Sequence, residues 1–361
     1  MRRIAPEVTE SVERRYQVLQ HVFFHQPIGR RTLAARLGWP ERLVRRELDF
    51  LREADLVLSK SGGMQVGPMG ERVLEGLKAI IRDLHGLAAI EQALAEYLSL
   101  QQVIVVPGDA DRDETVKGEI ARATAQYLST VLDRLAAQPE KGGRAVLAVT
   151  GGSTLAEVAR VLPQSGPRPD LTVVPARGGL GEEVELQANT VAAHIAQRLG
   201  GSYRLLHIPD DLGEEAASTI ANEPKIRQLL ELIRNADIVL HGIGTAEEMA
   251  RRRGLPPDVV RLLHERRSVG EAFGYYFDAA GQIVYTTSSV GLRFEDLASV
   301  PLVVAVGGGH TKAEAALAVL STQHQHVYIT DEGAARRMVE KLAGADAQTG
   351  RGARDGDTRR H

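Results

Sequence analysis

Cysteine is absent from this chain of 361 residues, which excludes disulfides and every thiolate metal site. Aromatic residues are scarce, with one Trp and six Phe, so a platform for stacking single-stranded bases is hard to build. No apolar run approaches the roughly 18 residues that a membrane-spanning helix needs. The start, MRRIAPEVTE, has two arginines but no apolar stretch of the signal-peptide kind behind them. These absences lead us to expect a cytoplasmic protein with no membrane partner.

What is present is an ordinary globular balance, 43% hydrophobic and 25% charged, with a net charge of -3. The charge is unevenly spread: residues 1–60 hold twelve Lys and Arg against eight Asp and Glu, and the remainder is acidic. A basic end on an acidic chain points to a nucleic-acid partner, and the shortage of aromatics favours duplex over single strand. The length suggests two units joined by a linker.

Near the basic end Pro6 can open a helix in which Val8, Val12, Tyr16, Leu19 and Phe23 recur at helical spacing. In RTLAARLGWPERLVRRELDFLREADLV a short amphipathic helix through Leu33, Ala34 and Leu37 is broken at Gly38 to Pro40, and a second begins near Glu41, which is helix-turn-helix spacing. Val44, Leu48 and Leu51 form the apolar stripe of the second helix. That turns Arg42, Arg45, Arg46 and Asp49 outward, where arginine forks suit guanine edges and phosphates. LVLSKSGGMQVG then reads as two strands about a Ser-Gly-Gly turn, a wing with Lys60 near its tip for the phosphate backbone. Residues 1–69 are accordingly read as a winged helix-turn-helix that binds double-stranded DNA.

From Val73 through Leu77, Ile80, Leu84, Leu87, Ile90, Leu94 and Leu98 the apolar residues step by four and three, a heptad-like seam interrupted at Gly86. Residues 70–99 can serve as a helical linker that packs on its own domain, or as a segment along which two chains pair. Beyond residue 100, QQVIVVPG, RAVLAVTGG, LTVVPARGG, YRLLHIP, ADIVLHGIG and PLVVAVGGG alternate with helical segments. This predicts an α/β unit of Rossmann-like parallel-sheet type over 100–342, with ligands bound in the loops at the strands' carboxyl ends.

Those loops carry anion chemistry. Gly151, Gly152, Ser153 and Thr154 lie between a strand and a helix, so backbone amides, two hydroxyls and the helix dipole converge on a phosphate. Arg177 follows another strand, with Gln187 and Asn189 farther along. Arg252 belongs to a cationic cluster after HGIGTAE, Glu271 in SVGEAFGYYFD is a carboxylate for sugar hydroxyls in a glycine-flanked loop, and Lys312 in AVGGGHTKAEAA is a mobile point charge. The last motif is no Walker A loop, because Ala313 follows Lys312, and HGIGTAE lacks the third glycine of a dinucleotide fingerprint. So much positive charge fits a doubly phosphorylated small molecule. For catalysis only Glu271 and His310 are local candidates, and nothing in the sequence pairs them, so no catalytic residue is assigned. HVFFH and HQH lack a third ligand and are not read as metal sites. A sensor is favoured; an active sugar-phosphate isomerase-like or deaminase-like enzyme with an appended DNA module is the alternative.

Taken together with the winged helix-turn-helix, VTGGSTLAEVA, VVPARGGLG, DIVLHGIG, SVGEAFGYYFD and AVGGGHTKAEA resemble the SorC/DeoR class of bacterial sugar-responsive transcription regulators, over residues 1 to about 342. The resemblance implies a repressor of a glycolytic operon, with fructose 1,6-bisphosphate as effector and no other cofactor. It also implies an effector domain related to sugar-phosphate isomerases and deaminases without their activity, and a tetramer on the operator; the chain is expected to be a homo-oligomer, dimer or tetramer. By motif it assigns Gly151, Gly152, Ser153 and Thr154 to the phosphate loop, Arg177 and Gln187 to a second polar loop, and Arg252, Glu271 and Lys312 to the remaining contacts. The closing residues 343–361 depart from the pattern and, polar and without apolar periodicity, are expected to be disordered.

Overall fold

A computed structural model describes residues 4–137, 144–179, 183–208, 213–288 and 290–354. The chain divides between Ala89 and Ile90 into two units.

The first unit contains α1 (Pro6–His25), α2 (Arg30–Leu37), α3 (Glu41–Glu53), a hairpin of β1 (Val57–Lys60) and β2 (Gly63–Val66), and α4 (Pro68–His85). Gly38 ends α2 in the left-handed conformation, φ 65°, a backbone that glycine adopts without steric cost. Pro40 then caps α3, whose Val44, Leu48 and Leu51 are buried with Leu33, Leu19 and Val22 in one core. In α1 the buried face is rotated from the expected one: Val18 and Val22 are fully enclosed and Val8 is exposed. β1 and β2 pair antiparallel with Lys60 opposite Gly63, leaving Ser61 and Gly62 as the turn.

The connecting stretch is two helices. Gly86, at φ 66°, terminates α4, and α5 (Leu87–Tyr97) begins immediately after. Leu74 and Ile81 of α4 are buried in the first unit's core and Leu77 packs against it, whereas Ile80 stays exposed. The seam residues of α4 thus split between packing at home and facing outward.

The second unit is built on a seven-stranded parallel sheet: β3 (Gln102–Val106), β4 (Ala145–Val149), β5 (Leu171–Pro175), β6 (Ser202–Tyr203), β7 (Ile238–Gly242), β12 (Leu302–Val306) and β13 (Val327–Asp331). The strand order is β3-β13-β12-β7-β4-β5-β6, so the chain winds one way from β4 and the other way from β7. Strands buried on both faces need near-continuous apolar runs, which is how AVLAV, IVLHG and LVVAV read. Helices α6 (Glu114–Ala136), α7 (Ser153–Val161), α8 (Ala188–Leu199), α9 (Glu214–Ala221) and α10 (Pro224–Arg234) fall between the early strands. A second, antiparallel sheet is inserted after β7: β8 (Gly244–Thr245), then α11 (Ala246–Arg252) and α12 (Pro257–Glu265), then β9 (Ser268–Ala272), β10 (Tyr275–Asp278) and β11 (Ile283–Thr286). The chain finishes with α13 (Ala313–Leu320) between β12 and β13, and α14 (Glu332–Arg354).

One expectation changes here. YRLLHIP is not a full strand: β6 is a two-residue edge element, and the Asn189 side chain takes over both backbone groups of Leu206, donating to its carbonyl and accepting from its amide at 3.0 Å each. At the other end, α14 is helical as far as Arg354, and residues 355–361, the last of the segment expected to be disordered, lie outside the described residues.

Candidate functional site

Of the residues that the sequence singled out for anion chemistry, all but Asn189, whose side chain holds the Leu206 backbone, line one cavity of about 230 Å³. Gly151, Gly152, Ser153 and Thr154 come from the end of β4, Arg177 from the end of β5, Gln187 from the start of α8, Arg252 from α11, Glu271 from β9 and Lys312 from the turn before α13. The cavity sits at the carboxyl ends of β4 and β7, where the winding direction reverses and adjacent loops diverge to leave a crevice.

The loop from Gly151 to Thr154 differs in detail from the expectation that its backbone amides converge on an anion. Gly152 donates its own amide to the Leu186 carbonyl at 2.8 Å, and a Cβ on Gly151 would press against Leu186 O and Ala188 N. The two glycines therefore bring the chain entering α8, with Gln187, against the start of α7. The donors left for an anion are the first-turn amides of α7 from Ser153 onward, with the hydroxyls of Ser153 and Thr154.

Arg177 is 6% exposed, its backbone bridged to Gly291 and its guanidinium 3.4 Å from Thr287 Oγ1. Gly274, at φ 78°, leaves the room this guanidinium occupies. Glu271 lies on strand β9 rather than in a loop. Pairing of Gly244 with Glu271 carries it to the cavity, where it is 4% exposed. Its Oε1 accepts from Arg253 at 2.9 Å and from the Gly274 amide, so one carboxylate oxygen is already committed. Also in the cavity lining, Glu248 faces Arg252 at 3.9 Å and Lys312 at 3.7 Å. Four cations, Arg177, Arg252, Arg253 and Lys312, and three carboxylates, Glu183, Glu248 and Glu271, line the crevice. Burial lowers the Lys117 ammonium below the usual lysine range, assisted by the nearby charges of Lys312 and Arg252.

Sequence reading missed Arg253 and Glu248. A spacing of four between Glu248 and Arg252 was the available signal for one; Arg253 turns inward one residue after α11 ends, which no periodicity reports. His310 is not brought to Glu271. It is paired through Nδ1 with Asp109 at 2.8 Å and Asp111 at 3.3 Å, three groups whose ligand atoms lie within 4.8 Å of one another.

In the first unit Arg42, Arg45 and Arg46 are exposed on one face of α3, lining a shallow groove with Asp49, Phe50 and Glu53. Lys60 is exposed beside the hairpin turn. Glu47, unforeseen, is buried in the midst of arginines: Arg46 at 2.9 Å, Arg15 at 3.2 Å and Arg14 at 3.8 Å. The Arg46 and Arg15 guanidinium groups outweigh burial and hold its carboxyl below the ordinary glutamate range. Among the described residues no helix is long and apolar enough to cross a membrane.

An arginine-faced helical unit and a crevice lined with cations on a single chain define a class, the ligand-responsive DNA-binding regulators. Comparison with known proteins agrees unit by unit. Residues 11–81 match the family described as "CggR N-terminal DNA binding domain", and residues 82–340 match "Putative sugar-binding domain". The chain belongs to the SorC/DeoR family of bacterial sugar-binding transcriptional regulators. It is 43% identical over 338 residues to the Central glycolytic genes regulator of Priestia megaterium, covering 94% of this chain and 96% of the relative, and 38% identical to that of Bacillus subtilis, covering 94% and 97%. Among solved structures, "the putative SorC family transcriptional regulator from Enterococcus faecalis" is 37% identical with a TM-score of 0.62, covering 70% of this chain and 99% of that one. The full-length sorbitol operon regulator SorC from Klebsiella pneumoniae shares the fold at 17% identity, TM-score 0.62, over 91% of this chain and 98% of its own. The chain is thus a regulator with a DNA-binding domain and a sugar-binding domain, not an enzyme.

Proposed function

We propose that the chain is a cytoplasmic repressor of glycolytic genes whose hold on operator DNA is relieved by a phosphorylated sugar, fructose 1,6-bisphosphate. The convergence of Gly151, Gly152, Ser153, Thr154, Arg177, Gln187, Arg252, Glu271 and Lys312 on one crevice is the observation that carries this reading. The start of α7 supplies amide donors and a helix dipole for one phosphate, and the cations Arg252 and Lys312 suit a second. A crevice at the carboxyl ends of parallel strands also agrees with kinship to sugar-phosphate isomerases and deaminases, while His310 stands apart from Glu271 and so offers them no base and acid in partnership. For the DNA end, α2, α3 and the β1-β2 hairpin act as a winged helix-turn-helix. In it Arg42, Arg45 and Arg46 enter a major groove and Lys60 touches the backbone. Exposed Met69, Ile80 and Tyr97 on α4 and α5 favour association of chains into a dimer or tetramer.

The effector acts by binding one assembly more tightly than another, a coupling of about 1–3 kcal/mol for regulators of this kind. Calorimetric titration with fructose 1,6-bisphosphate beside its two monophosphates tests the assignment. Saturable binding favouring the bisphosphate is expected, and equal or absent binding of all three contradicts it.

A further inference from the structure

Glu248 stands where a carboxylate is least expected, between two of the cations that an anionic ligand would use. Its backbone is fixed: the amide donates to Thr245 Oγ1 at 3.3 Å in the first turn of α11. Its two oxygens are then divided, Oε1 toward Arg252 NH1 at 3.9 Å and Oε2 toward Lys312 Nζ at 3.7 Å. Both separations lie beyond hydrogen-bonding distance, so charge is compensated without a locked geometry. All three side chains keep partial access to water, 34% for Glu248, 30% for Arg252 and 25% for Lys312, and the contacts are weak enough to exchange. Glu157, whose charge is felt by Lys117, is bound twice by Arg160, with Nε to Oε2 at 2.8 Å. Lys117 adds a further cation, its ammonium disfavoured first by burial and then by Lys312 and Arg252. The corner therefore holds a cationic cluster with Glu248 as its exchangeable counter-charge.

We propose that Glu248 is a resident competitor for the crevice's second anion position, a specificity residue that occupies Arg252 and Lys312 until a phosphomonoester displaces it. The inference rests on the effector reading of the crevice and adds the rule by which anions are admitted. A ligand must bring enough charge to replace a carboxylate already in place and to tolerate it nearby. A phosphate dianion meets that demand, whereas a singly charged carboxylate only exchanges like for like. Glu248 also offsets the charge of Arg252 and Lys312, so one residue both compensates these cations and sets the threshold for entry.

The test is Glu248→Gln in the full-length chain, titrated at low salt with inorganic phosphate, acetate and fructose 1,6-bisphosphate, with thermal melting of each chain. Removing the competing charge should tighten inorganic phosphate and the bisphosphate by roughly two- to thirtyfold, the range for two partly exposed ion pairs. Acetate should bind the variant measurably and the wild type not. The unliganded variant should melt at or below the wild type while its ligand-induced rise in melting temperature grows. Unchanged or weaker phosphate binding in Glu248→Gln, or in Glu248→Ala should the first variant misfold, overturns the proposal while leaving the effector reading intact if the wild type binds the bisphosphate. Tighter inorganic phosphate with no bisphosphate binding to either chain upholds the competitor and removes the effector reading. Failure of either chain to bind any phosphate overturns both.

Discussion

Gly151→Ala is a one-carbon perturbation whose consequence follows from the backbone alone. The added Cβ would meet the carbonyl oxygen of Leu186 and, at 3.0 Å, the amide nitrogen of Ala188. Neither is the end of a flexible side chain, so relief requires moving the chain that enters α8 away from the start of α7. The Gly152 amide to Leu186 carbonyl bond, 2.8 Å, lies in the same junction and is strained by the same movement. Overpacking of this kind costs about 1–3 kcal/mol. Because Gln187 and the first-turn donors of α7 sit on the two pieces forced apart, much of that cost should appear in ligand affinity, a loss of roughly 5- to 150-fold. Calorimetry with fructose 1,6-bisphosphate reads the affinity, and a thermal melt, expected to fall by a few degrees, reads the stability. Gly76→Ala is the control: a Cβ there meets nothing within 4 Å, and replacing glycine inside α4 should be neutral or stabilising by up to about 1 kcal/mol. If Gly151→Ala binds the bisphosphate as the wild type does, the crevice is not closed around its ligand by this junction and the phosphate-loop reasoning is wrong.

Arg252→Ala should weaken the bisphosphate far more than either fructose monophosphate in parallel calorimetric titrations; an equal loss for all three would remove Arg252 from the second phosphate. Arg45→Ala, at a side chain about two-thirds exposed, should leave the melting temperature unchanged, whereas Arg46→Ala, which removes the 2.9 Å partner of buried Glu47, should lower it. By fluorescence anisotropy each should cost operator affinity, about 1–3 kcal/mol for a lost base contact, or lower the salt dependence by about one for a lost phosphate contact. Normal operator binding by both refutes the groove assignment. His241 lies wholly buried in β7 with Nδ1 against the Gly242 carbonyl, and burial lowers its pKa to about 4 from an ordinary 6.5. Its folded pKa is depressed, so the unfolded chain takes up the proton first. Stability should fall between pH 6.5 and 4, by at most about 3 kcal/mol from this group, and level off below. Denaturant unfolding across that range should lose this slope in His241→Phe, and an unchanged slope would place its origin elsewhere.

Much of the fold is legible because parallel strands buried on both faces announce themselves as apolar runs, and the helix-turn-helix because Gly38 and Pro40 punctuate it so clearly. The antiparallel sheet is not. SVGEAFGYYFD contains a hairpin whose two-residue turn is Phe273 and Gly274, at φ 54° and 78°. Asn or Asp is the usual first residue of such a turn, and a bulky aromatic there signals something else. Phe273 is buried against His241, ring centroids 4.9 Å apart, so tertiary packing outweighs the local preference. That is also why Glu271 reads as a loop carboxylate when it is a strand residue holding Arg253. The site was more visible than the sheet around it, since glycines beside Ser, Thr, Arg and Lys at strand ends carry their chemistry in the residue types themselves. Glu47 was hidden for the opposite reason: it occupies a buried position on α3, and the approach of Arg14 and Arg15 from α1, joining Arg46 of α3 itself, explains how a carboxylate is tolerated there.

The central claim, that anion capture in the crevice is felt by the arginines of α3, is tested most directly by measuring operator affinity of the full-length chain by fluorescence anisotropy while fructose 1,6-bisphosphate is titrated. The account predicts that affinity falls by roughly 5- to 150-fold as the bisphosphate saturates, with fructose monophosphates far less effective. Operator binding that is unchanged or strengthened at saturating bisphosphate would contradict it.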